Sequence, residues 1–300
     1  MRAAGDRRVA WAVEGTRHYG LGLARYRTAR GEQVPGIDGT RHTGKRRAGK
    51  SDPIDAVRAA RELLARPAPA QMRADGDREA LRLLMTGRDN AIQSAKTART
   101  ALAAVLVTAP APLREQLRPL PRERRAKACA ALTCPPGAGR QTQVLHQTLI
   151  HLGQRIATLT EAAAELEEQI TEIVESMAPG LVAAEYGLGY LSAAQILLSF
   201  SHPGRIRSEQ AFAMLSGTAP VPVSSGRTDR HRLNRPGDRQ LNRAIHTIAV
   251  TRMRCHPDTR AYAERRRAEG KTDREIRRCI KRYLARHLYR TLTSQMPQTT

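Results

Sequence analysis

Leu145, Leu149, Leu152, Ile156, Leu159, Ala163, Leu166, Ile170, Ile173 and Met177 follow one another at alternating steps of four and three residues, without a miss. This heptad seam constrains the fold more than any other feature of the chain. A helix that keeps an apolar a/d stripe over such a length must cover it from end to end with another helix. Ala178-Pro179-Gly180 supplies the stop, because proline and glycine do not continue a helix. The pattern predicts one long coiled-coil helix over 144–178, partnered by a second copy of the chain or by a helix of its own domain.

The 300 residues are enough for two domains, yet they include only two Phe, one Trp and seven Tyr. Cores must therefore be built from Leu, Ile, Val and Ala, which favours helices. Near the amino terminus, Val9 to Val13 is a short apolar run ending at Glu14, and Gly15-Thr16 leads into an apolar-periodic stretch from Tyr19 to Tyr26. This reads as strand, turn and helix, with Thr16 as the cap. Glu14 is thereby placed at the carboxyl end of a strand, where open α/β sheets hold their ligands. Beyond a basic, Gly-rich loop from Gly36 to Lys50, Asp52 as N-cap, Pro53 at the first helical position and Asp55 in the first turn mark a helix start.

Punctuation around Pro110 to Pro121 and Pro135 to Gly139 divides the region before the long helix into shorter helices. After it, Gly187-Leu188-Gly189 precedes an apolar helix from Ala193 to Phe200; such a turn either offers backbone N–H groups to a phosphate or is simply tight. Thr272-Asp273-Arg274-Glu275 is a capping box. It launches a helix with Ile276, Ile280, Tyr283, His287 and Leu288 on one face and Arg277, Arg278, Lys281, Arg282 and Arg286 over the rest.

Fifty-one Lys and Arg against 28 Asp and Glu leave a net charge of +23, spread along the whole chain. A polyanion, and so nucleic acid, is the expected partner. Cys129, Cys134, Cys255 and Cys279 form no C-x-x-C pair and have no matching His spacing, so neither a zinc site nor a disulfide framework is indicated. No apolar run approaches 18 residues and no signal-peptide core stands at the start, so no membrane association and a cytoplasmic location are expected.

The chemistry concentrates between Val221 and Arg243. Ser224 and Ser225 precede Gly226, and Arg227, Arg230, Arg232, Arg235, Arg239 and Arg243 follow, with His231 among them. A serine hydroxyl beside fixed guanidinium groups can attack a phosphodiester, because those cations stabilise the charge that builds on phosphate oxygens. Either serine can be the nucleophile on this reading. The arginines are assigned to phosphate contacts and His231 to a proton shuttle. Glu14, Asp52 and Asp55 can hold one or two magnesium ions if the first strand and the acidic helix start lie side by side, although aspartates also collect at helix starts for purely local reasons.

Several of these strings occur together in one order: Val13-Glu14-Gly15-Thr16 with Tyr19-Gly20, Gly49-Lys50-Ser51-Asp52-Pro53-Ile54-Asp55-Ala56, Ser224-Ser225-Gly226, and Arg230-His231-Arg232-Leu233-Asn234-Arg235 leading to Gly237-Asp238-Arg239-Gln240. Together they resemble the transposases of the IS110 insertion-sequence family, also named for IS116 and IS902, from about Val9 to Leu292. The resemblance implies an α/β plus α fold class. It comprises a RuvC-like, ribonuclease-H-type domain with a DEDD carboxylate set for Mg2+, a coiled coil that mediates homo-oligomerisation, and a mostly helical carboxyl-terminal domain bearing a catalytic serine. On this chain the corresponding spans are 1–143, 144–178 and 179–293, with 294–300 as a tail.

The resemblance further implies DNA strand cleavage and exchange, guided by a structured RNA. Glu14, Asp52 and Asp55 match the second, third and fourth carboxylates, and Ser225 matches the nucleophile better than Ser224. Only eight residues precede Val9, where the family carries a further strand with its first aspartate, and Asp6 does not match it. The sheet and the metal site are accordingly expected to be incomplete and this copy inactive, with a non-catalytic nucleic-acid-binding remnant as the alternative.

Overall fold

Val13–Glu14 form a strand, β1, that pairs in parallel with Gly36–Ile37, β2, in the register Val13↔Gly36 and Glu14↔Ile37. Parallel strands cannot be joined by a hairpin, and the crossover between them carries helix α1, Leu21–Thr28. The computed structural model describes residues 10–14, 20–37, 52–65, 75–225, 228–232, 234 and 236–296. Helix α1 begins after Gly20, which makes no side-chain cap, whereas a start at Thr16 was expected; Thr16 lies outside the described residues. Val13, Ala24 and Val34 pack with Trp11 into a small core, and the Arg27 guanidinium lies 3.9 Å over the Trp11 ring. Helix α2, Asp52–Ala65, packs against both strands.

The RuvC-like sheet expected here is not seen among the described residues: its place is held by one parallel pair, and the rest of this part is helical. The physical reason lies in composition. Strand interiors draw on β-branched and aromatic residues, and the stretch beyond Ile37 is dominated instead by Ala, Leu and Arg, which are strong helix formers.

Asp77–Val107 then form a helix, α3, and Arg140–Met177 form α6; between them lie two short helices, α4 (Ala111–Leu117) and α5 (Arg122–Ala130). Arg125 of α5 donates to the carbonyls of Leu117, Arg118 and Leu120 at 3.2, 2.6 and 2.9 Å, closing the otherwise orphaned end of α4. At 1.5 Å per residue α6 is about 57 Å long. It runs antiparallel to α3: Leu81 near the start of α3 shares a core with Ile170 and Val174, while Leu102 and Leu106 near its end meet Leu149 and Ile156.

The predicted seam is present in α6 and is covered within the chain, but it is rotated. Leu149, Ile156, Ala163 and Ile170 of the a row are buried and Met177 at its end is half-buried, whereas Leu145, Leu152, Leu159, Leu166 and Ile173, the d row, are all only half-buried. Three of the five e positions turn inward, while Thr160 stays exposed and Glu167 half-buried. His146, Gly153 and Val174 are buried; Thr160 accepts from Arg99 at 3.0 Å, and Glu167 accepts from Arg88 at 2.8 Å. Opposite them α3 presents Ala91, Ala95 and Ala98, whose small side chains let the helices approach closely. The boundary expected between residues 143 and 144 falls inside this helix, whose first residue is Arg140.

The remaining elements wrap one end of the α3–α6 pair. They are α7 (Leu181–Ala184), α8 (Tyr190–Phe200), α9 (Glu209–Leu215), the strands β3 (Val221–Ser225) and β4 (Thr228–Arg232), and helices α10 (Arg239–Cys255), α11 (Pro257–Ala268) and α12 (Asp273–Gln295). One core joins them, running from Leu81, Ile170 and Val174 through α8 and α10 to Leu284, Leu288 and Leu292 of α12. Both phenylalanines serve it: Phe200, Phe212 and Tyr289 meet with ring centroids 6.1–6.3 Å apart. The capping box forms as expected, with Thr272 and Glu275 exchanging hydrogen bonds. Tyr283 and His287 do not join the buried face of α12; Leu284 and Ala285 take their place, and Tyr283 is 59% exposed.

Gly153 marks a close crossing of α6 with α5. A Cβ built there would sit 2.5 Å from the Ala130 backbone nitrogen and 2.6 Å from the Ala126 carbonyl oxygen, so neither helix can yield without moving its backbone. Gly153→Ala is therefore expected to destabilise the protein by about 1–3 kcal/mol. Gly22→Ala, in open space on α1, should be neutral or gain up to about 1 kcal/mol. Urea denaturation of both variants checks this, and equal midpoints for the two would rule out the close crossing.

Candidate nucleic-acid interface

Ser225 ends β3 and pairs with Thr228, the first residue of β4, so the serine stands at the tip of an antiparallel hairpin. The register continues through Ser224↔Asp229, Val223↔Arg230, Pro222↔His231 and Val221↔Arg232. Strand alternation sets positions 225, 230 and 232 on one face of the ribbon and 224, 229 and 231 on the other. The two candidate serines therefore differ in company: position 225 shares its face with two arginine positions, and position 224 shares its face with Asp229 and His231. At about 3.3 Å per residue, the tip stands roughly 13 Å beyond the base at Val221 and Arg232. Among the described residues β3 and β4 make their substantial contacts with each other, and Pro222 and Val223 are exposed. Arg227 and Arg235 lie outside the described residues, as do the side chains of Ser224, Ser225, Arg230 and His231.

The segment that follows anchors the arm. Gly237 has φ +140, and a Cβ there would lie 2.8 Å from the Leu215 carbonyl oxygen, so this close approach to the end of α9 admits only glycine. The Asp238 backbone N–H donates to that same carbonyl at 2.7 Å. Its carboxylate caps α10, accepting from Gln240 N at 2.9 Å and Leu241 N at 3.1 Å, while its other oxygen accepts from Ser199 Oγ at 2.7 Å. Asn234 is buried and donates to the Met214 carbonyl at 3.4 Å, and Asn242 donates to the Ser216 carbonyl at 2.6 Å. Asn234, Gly237, Asp238 and Asn242 therefore hold the base of the hairpin to α8, α9 and α10. Of the arginines in this string, Arg232, Arg239 and Arg243 are exposed, the last two on α10.

At the base of the arm opens a cleft of about 870 Å³. One wall is the loop Gly217 to Pro220 with Arg232 and Asn234; the opposite wall is α12 with the end of α11. Arg232 on the first wall looks toward Arg266, Lys271, Arg278, Lys281, Arg282 and Arg286 on the second, against a single acid, Glu275. Glu209 engages Arg286 and Arg290 at 3.0 and 2.5 Å, and those two guanidinium groups hold its carboxyl below the usual range. Arg282 carries a buried Nη1 with no hydrogen-bond partner, and burial lowers its pKa. Lys281 donates to Asn242 Oδ1 at 2.7 Å, and burial lowers its ammonium to about 8. Burial, reinforced by Lys281 and Arg277, also lowers the neighbouring His246. A concave cationic surface of this kind suits a phosphate chain.

The expected carboxylates sit at the other end of the chain. Glu14 ends β1, Asp52 begins α2, and α2 packs against β1, so the backbone brings these elements together. Asp55 is half-buried one turn further on and pairs with Arg58 at 3.4 Å. The side chains of Glu14 and Asp52 lie outside the described residues, among which no group of three His, Cys, Asp or Glu side chains is placed to hold a metal. Three carboxylates on two packed elements fit a hard, oxygen-seeking cation in kind. Among the described residues no helix is long and apolar enough to cross a membrane.

Residues 181–264, from α7 through the hairpin and α10 into α11, match the family described as Transposase IS116/IS110/IS902. The chain carries a transposase domain of this family. It is 32% identical over 141 residues to the insertion element IS110 uncharacterized 43.6 kDa protein of Streptomyces coelicolor, covering 46% of this chain and 33% of that protein. It is 42% identical over 66 residues to the insertion element IS900 uncharacterized 42 kDa protein of Mycobacterium paratuberculosis, covering 21% of this chain and 16% of that one. The matches thus span a third or less of these relatives. Helix α12, which supplies one wall of the cationic cleft, lies beyond the matched part of the transposase domain.

Lys281 offers a direct check on the cleft. Its ammonium titrates from 10.5 in the unfolded chain and from about 8 in the folded protein, so between those values the folded state binds fewer protons and stability gains with rising pH. The stability difference between wild type and Lys281→Met should therefore move in favour of wild type as pH rises from about 8 to 10.5. Urea denaturation across that window at fixed ionic strength measures it. A difference that does not vary with pH would show that Lys281 does not titrate in a buried setting.

Proposed function

We propose that this chain is a DNA transposase that cleaves and exchanges strands through Ser225. The match of residues 181–264 to the transposase family supports transposition at the level of the family, and the assignment to residues is argued from the hairpin. The observation that carries it is the register Ser225↔Thr228, which sets the serine at the end of an exposed arm whose base opens on the cationic cleft.

In the proposed step the Ser225 hydroxyl oxygen attacks the phosphorus of a DNA phosphodiester. The bond from phosphorus to one sugar oxygen breaks, and a serine phosphodiester linked to DNA forms. The serine proton is given up to water and the departing sugar oxygen takes one from water, leaving as a hydroxyl; position 231 lies on the opposite face of the ribbon from 225, so His231 would serve as the proton shuttle only for Ser224. Attack by the hydroxyl of another strand reverses the chemistry and completes exchange, so no outside energy source is needed. Arg227, Arg230, Arg232, Arg235, Arg239 and Arg243 are assigned to phosphate contacts and to the charge that develops on the attacked phosphate.

Glu14, Asp52 and Asp55 would hold Mg2+, which when bound supplies further neutralisation of phosphate charge. The functional division follows the same reading: a carboxylate domain over 1–143, the long helix over 144–178 and the serine domain over 179–293, with 294–300 as a tail. The half-covered d row of α6 supports self-association, and the excess of positive charge supports a structured guide RNA beside the DNA.

The test is a covalent adduct. Incubated with element-end DNA, Mg2+ and the RNA transcribed beside its gene, the protein should give a protein–DNA species that survives denaturation and is absent from Ser225→Ala. Ser224→Ala should retain it. An adduct lost only in Ser224→Ala would move the nucleophile by one residue. Salt-sensitive binding without any adduct would reject the catalytic reading and leave a nucleic-acid-binding remnant.

A further inference from the structure

Helix α12 has a second opening on the far side of Tyr283 from the cationic cleft. Here lies a pocket of about 210 Å³, smaller than the 300–1,000 Å³ usual for drug-sized ligands and so fitted to one flat ring system. Ile280 and Leu284 of α12 and Tyr262 of α11 form its apolar wall; Arg252 and His287 form its polar side, with Asp258 and Thr259 at α11. Tyr283 lines both the pocket and the cleft, and it stands 59% exposed between them. Its ring meets Tyr262 edge to face, with centroids 6.3 Å apart and planes at 90°.

The polar side is built, not incidental. Glu185 is buried and binds both Arg252, at 2.9 Å, and His287. Arg252 also donates to the Tyr186 carbonyl at 2.8 Å, so a buried carboxylate and a backbone oxygen fix its guanidinium at the pocket wall. An aromatic and aliphatic slot with a fixed donor edge is the chemistry that receives a nucleobase: stacking on the rings, hydrogen bonding along one edge. The neighbouring cations identify the occupant, since a ring system attached to a phosphate chain satisfies the pocket and the cleft together.

We infer that the Tyr262–Tyr283–His287 pocket receives one unpaired base of a DNA single strand whose phosphates lie in the adjoining cleft, with Tyr283 as the stacking platform between them. A paired base stays inside its duplex stack, so the pocket reads strand separation, a state that strand exchange must create. This rests on the DNA-binding part of the function proposed above and not on its serine chemistry.

The experiment compares two single strands of equal charge: a thymidine strand of about ten nucleotides, within the span usual for single-strand sites, and an abasic deoxyribose-phosphate strand of the same length. Fluorescence anisotropy at low salt with the full chain reads their affinities. Wild type should prefer the thymidine strand roughly tenfold, the scale of one base–aromatic stack. Tyr283→Ala should abolish that preference, Tyr283→Trp should keep it, and Arg278→Ala should weaken both strands alike. Because Tyr283 is largely exposed, matched melting curves are expected for its variants. A wild type without preference, or a preference that survives in Tyr283→Ala, overturns the base pocket while leaving DNA binding intact. Failure to bind either strand would instead reject DNA binding and the pocket with it.

Discussion

The antiparallel packing of α3 on α6 is the constraint on which the other elements depend. At one end Leu102 and Leu106 meet Leu149 and Ile156 under α4 and α5; at the other, Leu81, Ile170 and Val174 enter the core shared by α8, α10 and α12. Each fully buried Leu or Ile along this line contributes about 1.5–3 kcal/mol by leaving water. The small alanines of α3 let it lie close to α6, and Gly153 of α6 does the same for α5, where a Cβ would meet the Ala126 and Ala130 backbone. Arg88 with Glu167 and Arg99 with Thr160 fix the direction and register in a way that apolar contacts alone do not.

From this spine the carboxyl-terminal elements divide into parts that hold and parts that present. Gly237, Asp238, Asn234 and Asn242 are spent on backbone contacts with α9 and α10, so most of the polar string after the hairpin is structural. What projects from that base is the arm ending at Ser225, with Arg232, Arg239 and Arg243 exposed near it. The opposing charge comes from α12, whose core residues Ile280, Leu284 and Leu288 fix the angle at which Arg278, Lys281 and Arg282 face Arg232. Lys281 bears a cost for that position, visible in its lowered pKa, and Asn242 ties it to the helix that follows the arm.

Much of this was legible in residue order. The four-three spacing marked α6 and the Thr272 capping box marked α12, whereas the serine string was read only for its chemistry and the hairpin that carries it was not foreseen. The partner of α6 was not legible, because the middle of α3 buries only Ala91, Ala95 and Ala98, and alanine gives little hydrophobic contrast in a chain rich in it. The rotation of the seam toward the e positions was hidden for a related reason. It rests on His146, Gly153 and Val174, a mixed set that no apolar period picks out, and on the reach of Arg88 and Arg99 from another helix to Glu167 and Thr160. The sheet expected around Glu14 shrank to one parallel pair among the described residues, since strand pairing depends on partners distant in sequence and a local apolar run does not supply them.

By itself the sequence determined what local physics can determine: helix starts and stops, the period of the long helix, the cationic excess and the adjacency of serine, glycine and arginine. It also carried the motif order that marks a transposase domain. Only the tertiary structure decided which face of α6 is covered, that Asp238 and Asn234 serve as struts while Arg232 faces a cleft, and that α12 supplies the opposite wall. It also put Tyr283 between two openings and not in the core. These outcomes turn on pairs of residues separated by tens of positions, whose packing geometry no local periodicity encodes.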